Sequence, residues 1–404
     1  MKPTITVIPN RSFNVSTSAA TDTLDLLIRI DAPEVDSPIT RPPLDVALVL
    51  DRSGSMGGLP LNLAKQAAKL ILRELTSEDR MAVIAFDNTA DIIFPLQKVG
   101  GIEELNRLID GIRVRGSTAL YAGWRMAADL LLPEAGQGRL ARVLLLTDGR
   151  ANVGLRDPIL LAAQLDLAQQ QGVSTSTVGV GLKYDEHLLE ALAGAGDGNY
   201  HFAERPDQLP DVFSTELLNL RAILGRRVSL GLQGADIRDA LNDLPRLGNG
   251  RLALPPLRAG RSLDLLFRVE LKQGDPIKLR LAWDDHNGER HRIRASFDIP
   301  AVPQAHTVQE DTRVIQLREH LLLARTQREV ARLADVGDVG GAMVLLSSVK
   351  NRLLVEGMRS GINMQPELEQ IATLEQRLKR GDRNAASKLA RKQSYDKTTG
   401  REEQ

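Results

Sequence analysis

Between residues 44 and 224 of this 404-residue chain, short apolar runs alternate with longer segments of helical period. Residues 45–50, 80–86 and 142–147 are mostly branched or large apolar side chains, the pattern of strands buried on both faces of a parallel sheet. Residues 173–180 add a further strand and 199–202 a short last one. Between them the spacing predicts helices over 59–75, 102–112, 119–132, 157–171, 185–193 and 206–224. The first of these carries Leu61, Ala64, Ala68, Leu72 and Leu75 on one face, and the fourth stops at Gly172. Residues 89–95 return after Asp87-Asn88, as a hairpin to an edge strand would. The expected architecture is α/β: a doubly wound, mainly parallel six-stranded sheet with helices on both faces.

The flanks have another rhythm. Residues 4–8 and 24–30 read as strands, and a proline-rich stretch over 31–43 separates them from the alternating region. Two or three strands cannot bury a core alone. Candidate partners lie at 227–232, 252–255, 262–271, 277–283 and 291–299, with the polar run 284–288 as a turn. An antiparallel β-sandwich is therefore expected from residues 1–40 and 225–303, with the α/β region, 41–224, inserted between them. Residues 304–381 are helical in period over 314–334, 339–354 and 366–380, which predicts a helical hairpin or small bundle. The tail, 382–404, has scattered Lys and Arg and almost no large apolar side chains, and is expected to be disordered.

Composition narrows the classes. Lys+Arg and Asp+Glu both number 52, so net charge offers no global attraction to nucleic acid or a membrane. Aromatic residues make up 3%, too few for a base- or sugar-stacking surface, and cysteine is absent, which removes disulfides, thiolate chemistry and Cys-based zinc sites. No run approaches a membrane span in length, and the amino terminus lacks an apolar export core. A cytoplasmic location is expected.

The chemistry concentrates where predicted strands end. The run 45–50 stops at Asp51, and three small oxygen-bearing residues follow at alternate positions: Asp51, Ser53 and Ser55. Thr118 precedes the helix that begins at Ala119, and Asp148 ends the strand 142–147. In a doubly wound sheet these loops share one edge, so five oxygen-bearing side chains can converge there. Hard oxygen donors suit a divalent cation such as Mg²⁺. Other motifs carry less. Gly179-Val180-Gly181 lacks the third glycine of a dinucleotide loop and reads as a βα turn. There is no phosphate-binding loop and no H-E-x-x-H; His187 and His201 read as surface or sheet-end residues. Basic residues near the carboxyl end (Arg377, Lys379, Arg380, Arg391, Lys392) read as a solvated helix face and a solubilising tail.

Asp51-Arg52-Ser53-Gly54-Ser55-Met56, Gly116-Ser117-Thr118 and Thr147-Asp148-Gly149 together resemble the von Willebrand factor type A domain, in the D-x-S-G-S-M form common in bacterial members. The resemblance covers about residues 44–224. Only in layout do the flanks resemble bacterial proteins similar to calcium-activated chloride channels or inter-α-trypsin-inhibitor heavy chains. The resemblance implies a metal-ion-dependent adhesion site. Ser53, Ser55 and Thr118 would coordinate through hydroxyls, with Asp51 and Asp148 acting directly or through water. With few charged ligands the ion, Mg²⁺ or else Mn²⁺ or Ca²⁺, would keep an exchangeable position for an Asp or Glu carboxylate of a partner protein. The implied role is a non-enzymatic scaffold, in the family often beside an ATPase or in a multi-component system. The alternatives are a metal-assisted hydrolase using water on the same ion, and a channel-associated or surface protein.

Overall fold

The computed structural model describes residues 2–15, 21–34, 42–135, 137–272, 274–285, 287–303 and 310–400. Three strands come first: β1 (Thr4–Pro9), β2 (Phe13–Val15) and β3 (Thr21–Asp31). The α/β region follows with β4 (Leu44–Asp51), α1 (Leu59–Glu74), β5 (Arg80–Phe86), β6 (Ala90–Lys98), α2 (Ile102–Gly111) and α3 (Leu120–Leu131). It continues through β7 (Leu140–Thr147), α4 (Pro158–Gln170), β8 (Val173–Val180), α5 (Glu186–Ala195), β9 (Tyr200–Ala203) and α6 (Leu209–Arg221). The remaining strands are β10 (Ile223–Gln233), β11 (Ala235–Ala240), β12 (Leu252–Leu254), β13 (Leu257–Arg258), β14 (Ser262–Lys272), β15 (Ile277–Asp284), β16 (Arg290–Phe297) and β17 (Ala301–Pro303). Four helices close the chain: α7 (Thr312–Asp335), α8 (Val339–Ser360), α9 (Gln365–Lys379) and α10 (Arg383–Thr399).

These elements form two compact units. One comprises Ser37–Ile223 with Asp285–Glu289; the other gathers Met1–Asp36, Leu224–Asp284 and Arg290–Gln404. In chain terms the α/β unit lies between segments of the other.

The α/β unit is a six-stranded sheet in the order β6-β5-β4-β7-β8-β9, parallel except for the edge strand β6. Every residue of β4 and of β7 is buried, which explains their unbroken apolar runs: helices cover both faces. On one face Leu44, Val46, Leu48 and Leu50 pack with Leu61, Ala68 and Leu72 of α1 and with Phe213 and Leu217 of α6. On the other, α3 lies so close that a Cβ on Gly123 would stand 2.7 Å from the ring of Phe86. Gly179 and Val180 are the last residues of β8 and only Gly181 enters the βα turn; Gly179 gives room to Tyr184.

In the second unit, a sheet in the order β1-β3-β14-β11 shares a core with one in the order β12-β10-β15-β16, β13 also pairing with β10. All pairings in both sheets for which the register is given are antiparallel. Leu24, Leu26, Ile28 and Ile30 of β3 point into that core. Leu27, on the opposite side of the strand, meets Leu266, Leu241 and Val314 and Leu321 of α7. Asp25, also on that side, pairs with Arg268 and Arg318, and Arg325 of α7 pairs with Asp239 and Asp243. So the middle of β3, Leu26 to Ile28, is an unbroken apolar run because sandwich and helix bury its two faces. The short parallel pair β2–β17 has no periodic signal and was not expected.

The helical region holds one more helix than the period predicts. The segment expected to be a disordered tail is α10 over Arg383–Thr399; residues 401–404 lie outside the described part. Ala386 and Ala390 enter the helical core and Tyr395 is buried. Lys388 and Arg391 are buried too, Arg391 paired with Asp335. Small side chains and long basic stems fill this interface, so it lacks the large apolar residues that mark a helix in sequence. Among the described residues no helix is long and apolar enough to cross a membrane.

Candidate metal centre

At the carboxyl edge of the α/β sheet, β4 ends in Asp51, which is wholly buried. Its two oxygens have fixed tasks. Oδ1 accepts the backbone N–H of Ser53 at 2.7 Å, and Oδ2 accepts the hydroxyl of Thr147 at 2.5 Å. The first bond turns the chain straight off the strand, and the second ties β4 to β7. Ser53 is buried, whereas Ser55, one step further out, is exposed. Their hydroxyls lie 3.2 Å apart, and that of Ser55 donates to Oδ1 of Asp148 at 2.6 Å. Thr118 joins them: a Cβ on Gly149 would stand 3.4 Å from the Ser55 hydroxyl and 3.5 Å from that of Thr118. All five residues expected from the sequence thus meet at one edge.

The donor set fits a small hard cation. Three neutral hydroxyls and two carboxylates converge, and Gly149 leaves open the space between two of the hydroxyls that a side chain would fill. Burial raises Asp51 to about 6, against the hydrogen bonds from Thr147 and Ser53, with Asp148 adding to the rise. Asp148 is also raised by burial, although the Ser55 hydroxyl and Lys183 act the other way. Two carboxylates that resist ionisation side by side are the groups whose charge a bound cation would favour.

A second layer, not foreseen from the sequence, holds these loops. Arg52 sits inside the motif, but its side chain turns away from the hydroxyls. Its Nε donates to Asp87 at 2.6 Å, and it also reaches Asp91. Arg115 reaches the same two acids, at 2.5 and 2.7 Å. Burial pushes Asp87 up, but hydrogen bonds from Arg115 and Arg52 outweigh it and hold the group below the usual carboxylate range. Asn88 accepts from the backbone of Ser117 at 2.7 Å, and Asn152 accepts from that of Thr118 at 2.8 Å. Asp87 follows β5 as Asp148 follows β7, so both acids stand on one sheet edge.

His201, read from the sequence as a surface or sheet-end residue, is buried. It bonds Glu216 of α6 at 2.9 Å, and Glu216 also accepts from Ser176 and Asn199, with Arg142 3.8 Å away. Short polar strands hide such residues because the partner lies on a later helix. His187 is exposed, as expected.

A doubly wound sheet with one antiparallel edge strand, D-x-S-x-S after β4, a threonine before α3 and an aspartate after β7 defines a class of α/β domain. Residues 45–215 match the family model described as von Willebrand factor type A domain, and the α/β unit belongs to that family. Protein sll0103 of Synechocystis is 31% identical over 227 residues, 55% of this chain and 51% of that one. Human calcium-activated chloride channel regulator 4 is 30% identical over 163 residues, 39% of this chain and 17% of that one. The chain thus spans about half the length of the first relative and far less of the second. Among solved structures, one titled von Willebrand factor type A from Catenulispora acidiphila superposes with a TM-score of 0.65 at 18% identity, covering 92% of this chain and 89% of that one. At that identity it shows a common fold reaching beyond the α/β unit.

Proposed function

We propose that the α/β unit is a metal-dependent capture module that binds an acidic residue of a protein partner. Ser53, Ser55 and Thr118 would hold a Mg²⁺ ion through their hydroxyls, Asp148 directly or through water, and Asp51 from behind. The ion would supply one ligand position open to an Asp or Glu carboxylate. The observation that carries this reading is the gradient across the five residues. Asp51 is locked at depth by two hydrogen bonds, whereas Ser55 and Asp148 face outward. A rigid inner acid with outer hydroxyls is an arrangement for binding, and no bond need be broken.

Charge around the centre supports an acidic partner. Arg150 and Arg156 lie between Asp148 and α4, and Lys183 follows β8, so all three stand on loops of the same sheet edge. Each is exposed, and among the described residues none forms a salt bridge. Such a cationic rim speeds encounter with an acidic surface more than it tightens the complex.

The test is thermal unfolding of the full chain with a chelator and with added Mg²⁺, Mn²⁺ or Ca²⁺. The wild type should be stabilised in proportion to occupancy, by about 2.7 kcal/mol at a hundredfold excess over Kd. Ser53→Ala/Ser55→Ala should abolish the response. If millimolar metal leaves the wild type unmoved, the reading fails. A partner retained on the immobilised chain should be released both by chelator and by the paired substitution.

A further inference from the structure

The outer face of the sheet β12-β10-β15-β16 carries a charge that the chain's balanced totals hide. Facing residues of an antiparallel pair project to the same side. Lys278, Arg280, Ala282 and Asp284 of β15 therefore share one face with their partners Ser296, Arg294, Arg292 and Arg290 of β16. Ser229 and Gly231 of β10, opposite Ala282 and Arg280, extend it. The intervening residues of β15, Ile277, Leu279, Leu281 and Trp283, fill the sandwich core, so the basic side chains point outward.

Arg251, just before β12, lies across this face. It donates to the carbonyls of Ser229 at 3.1 Å and of Arg280 at 2.9 Å, bridging β10. Gly231 allows that approach: a Cβ there would stand 3.6 Å from Arg251 Nε. Arg290 reaches the Ser229 hydroxyl at 3.1 Å. Ser229 and Ala282 form a small, buried floor among these long side chains.

Several arginines elsewhere in this unit are neutralised, as in Arg29–Asp264, Arg268–Asp25 and Arg325–Asp239. Here Asp284 is the sole acid at the paired positions, and Arg227 and Arg290 share it. Among the described residues Lys278, Arg280, Arg292 and Arg294 have no acidic partner, and the buried Nε of Arg251 has no acceptor. Burial, then the charges of Arg280, Arg290 and Arg292, push the Arg251 guanidinium below its ordinary value. This is like-charge crowding over a small-residue floor, relieved only at Arg290 by Asp284 among the described residues.

We propose that the arginine cluster Arg251, Arg280, Arg290 and Arg292 binds a phosphate group, borne by a small soluble phosphate compound or by a lipid headgroup. Guanidinium forks match phosphate oxygens two at a time, which a lysine cannot do. A dianion would remove the repulsion and give Arg251 Nε an acceptor. The face lacks the aromatic platform that single-stranded nucleic acid stacks upon: Trp283 and His291 face each other and stack on the other side of the sheet.

Calorimetric titration of the full chain with inorganic pyrophosphate, in metal-free buffer at physiological salt, tests this independently of the metal centre. Saturable binding is expected. Arg280→Gln/Arg292→Gln should weaken it at least about tenfold, the loss expected for one charge-assisted hydrogen bond. Arg280→Lys/Arg292→Lys, which keeps the charge, should weaken it nearly as much. Without ligand, the Gln pair should unfold at the wild-type temperature or above it, because repulsion is removed; a purely structural role would lower it. Phosphatidylcholine vesicles with and without a phosphoinositide separate the sources: binding that needs both the phosphoinositide and these arginines assigns the headgroup. No saturable binding in either arm overturns the proposal, as does binding that the Lys pair retains. Duplex DNA bound equally by wild type and Lys pair would replace it with general polyanion attraction.

Discussion

At the residue scale the candidate metal centre separates into parts that hold the fold and parts free to hold an ion. Asp51→Ala would leave the Thr147 hydroxyl and the Ser53 N–H without acceptors in a buried place, at a cost of about 1–3 kcal/mol before any metal is added. Ser55 is exposed, and among the described residues its hydroxyl bonds only Ser53 and Asp148. Ser55→Ala should therefore shift the unfolding of the metal-free protein by less than about 0.5 kcal/mol while removing much of the metal response. Gly149→Ala offers a sharper comparison, because its methyl would meet the Ser55 and Thr118 hydroxyls at van der Waals distance. Unfolding in chelator should stay near the wild type, and metal stabilisation should fall. A Gly149→Ala protein with a full metal response would place the ion elsewhere. The five central residues were legible because each follows or precedes a predicted element on one sheet edge. Thr147, Asn152 and the Arg52–Asp87–Arg115 brace were not, because nothing in sequence spacing says which way Arg52 turns.

At the element scale, a buried polar node ties α6 to the sheet. Burial alone would raise Glu216, but hydrogen bonding to His201 and the charge of Arg142 outweigh it and bring the group down to about 2. A carboxyl group lowered in the folded state stabilises it fully above its unfolded value of 4.5, and that stability is lost as pH falls from 4.5 toward 2. Glu216→Gln should cost about 3 kcal/mol at neutral pH, since it removes the buried carboxylate toward which His201, Ser176, Asn199 and Arg142 converge. It should also flatten the acid limb of the melting curve in that window; an unchanged acid limb would mean Glu216 is not the group titrating there. Strong apolar period made the parallel strands and most helices readable. It failed at α10, where alanines and the stems of Lys388 and Arg391 do the burying. Amide exchange over 383–399 should be slowed like that of α7, whereas a disordered tail would exchange at once. Tyr395→Ala should cost about 3 kcal/mol.

For the whole molecule, the order of segments along the chain sets what can fold alone. The α/β unit is nearly continuous in sequence, whereas the β-sandwich unit needs three segments that the insertion holds apart. β3 and β14, paired over eleven residues, come from opposite sides of that insertion. Closing that long loop carries an entropic cost that a continuous unit escapes. Metal linkage offers a way to see the difference. An ion bound only by the folded α/β unit stabilises that unit by mass action and leaves the other unchanged unless the two unfold together. Calorimetry should then resolve two transitions, and added Mg²⁺ should raise one of them. That transition should stay in place in the Ser53→Ala/Ser55→Ala protein, while the transition of the β-sandwich unit is the same in both proteins with or without metal. A single transition that metal moves as a whole would mean the insertion and its host unfold as one cooperative body.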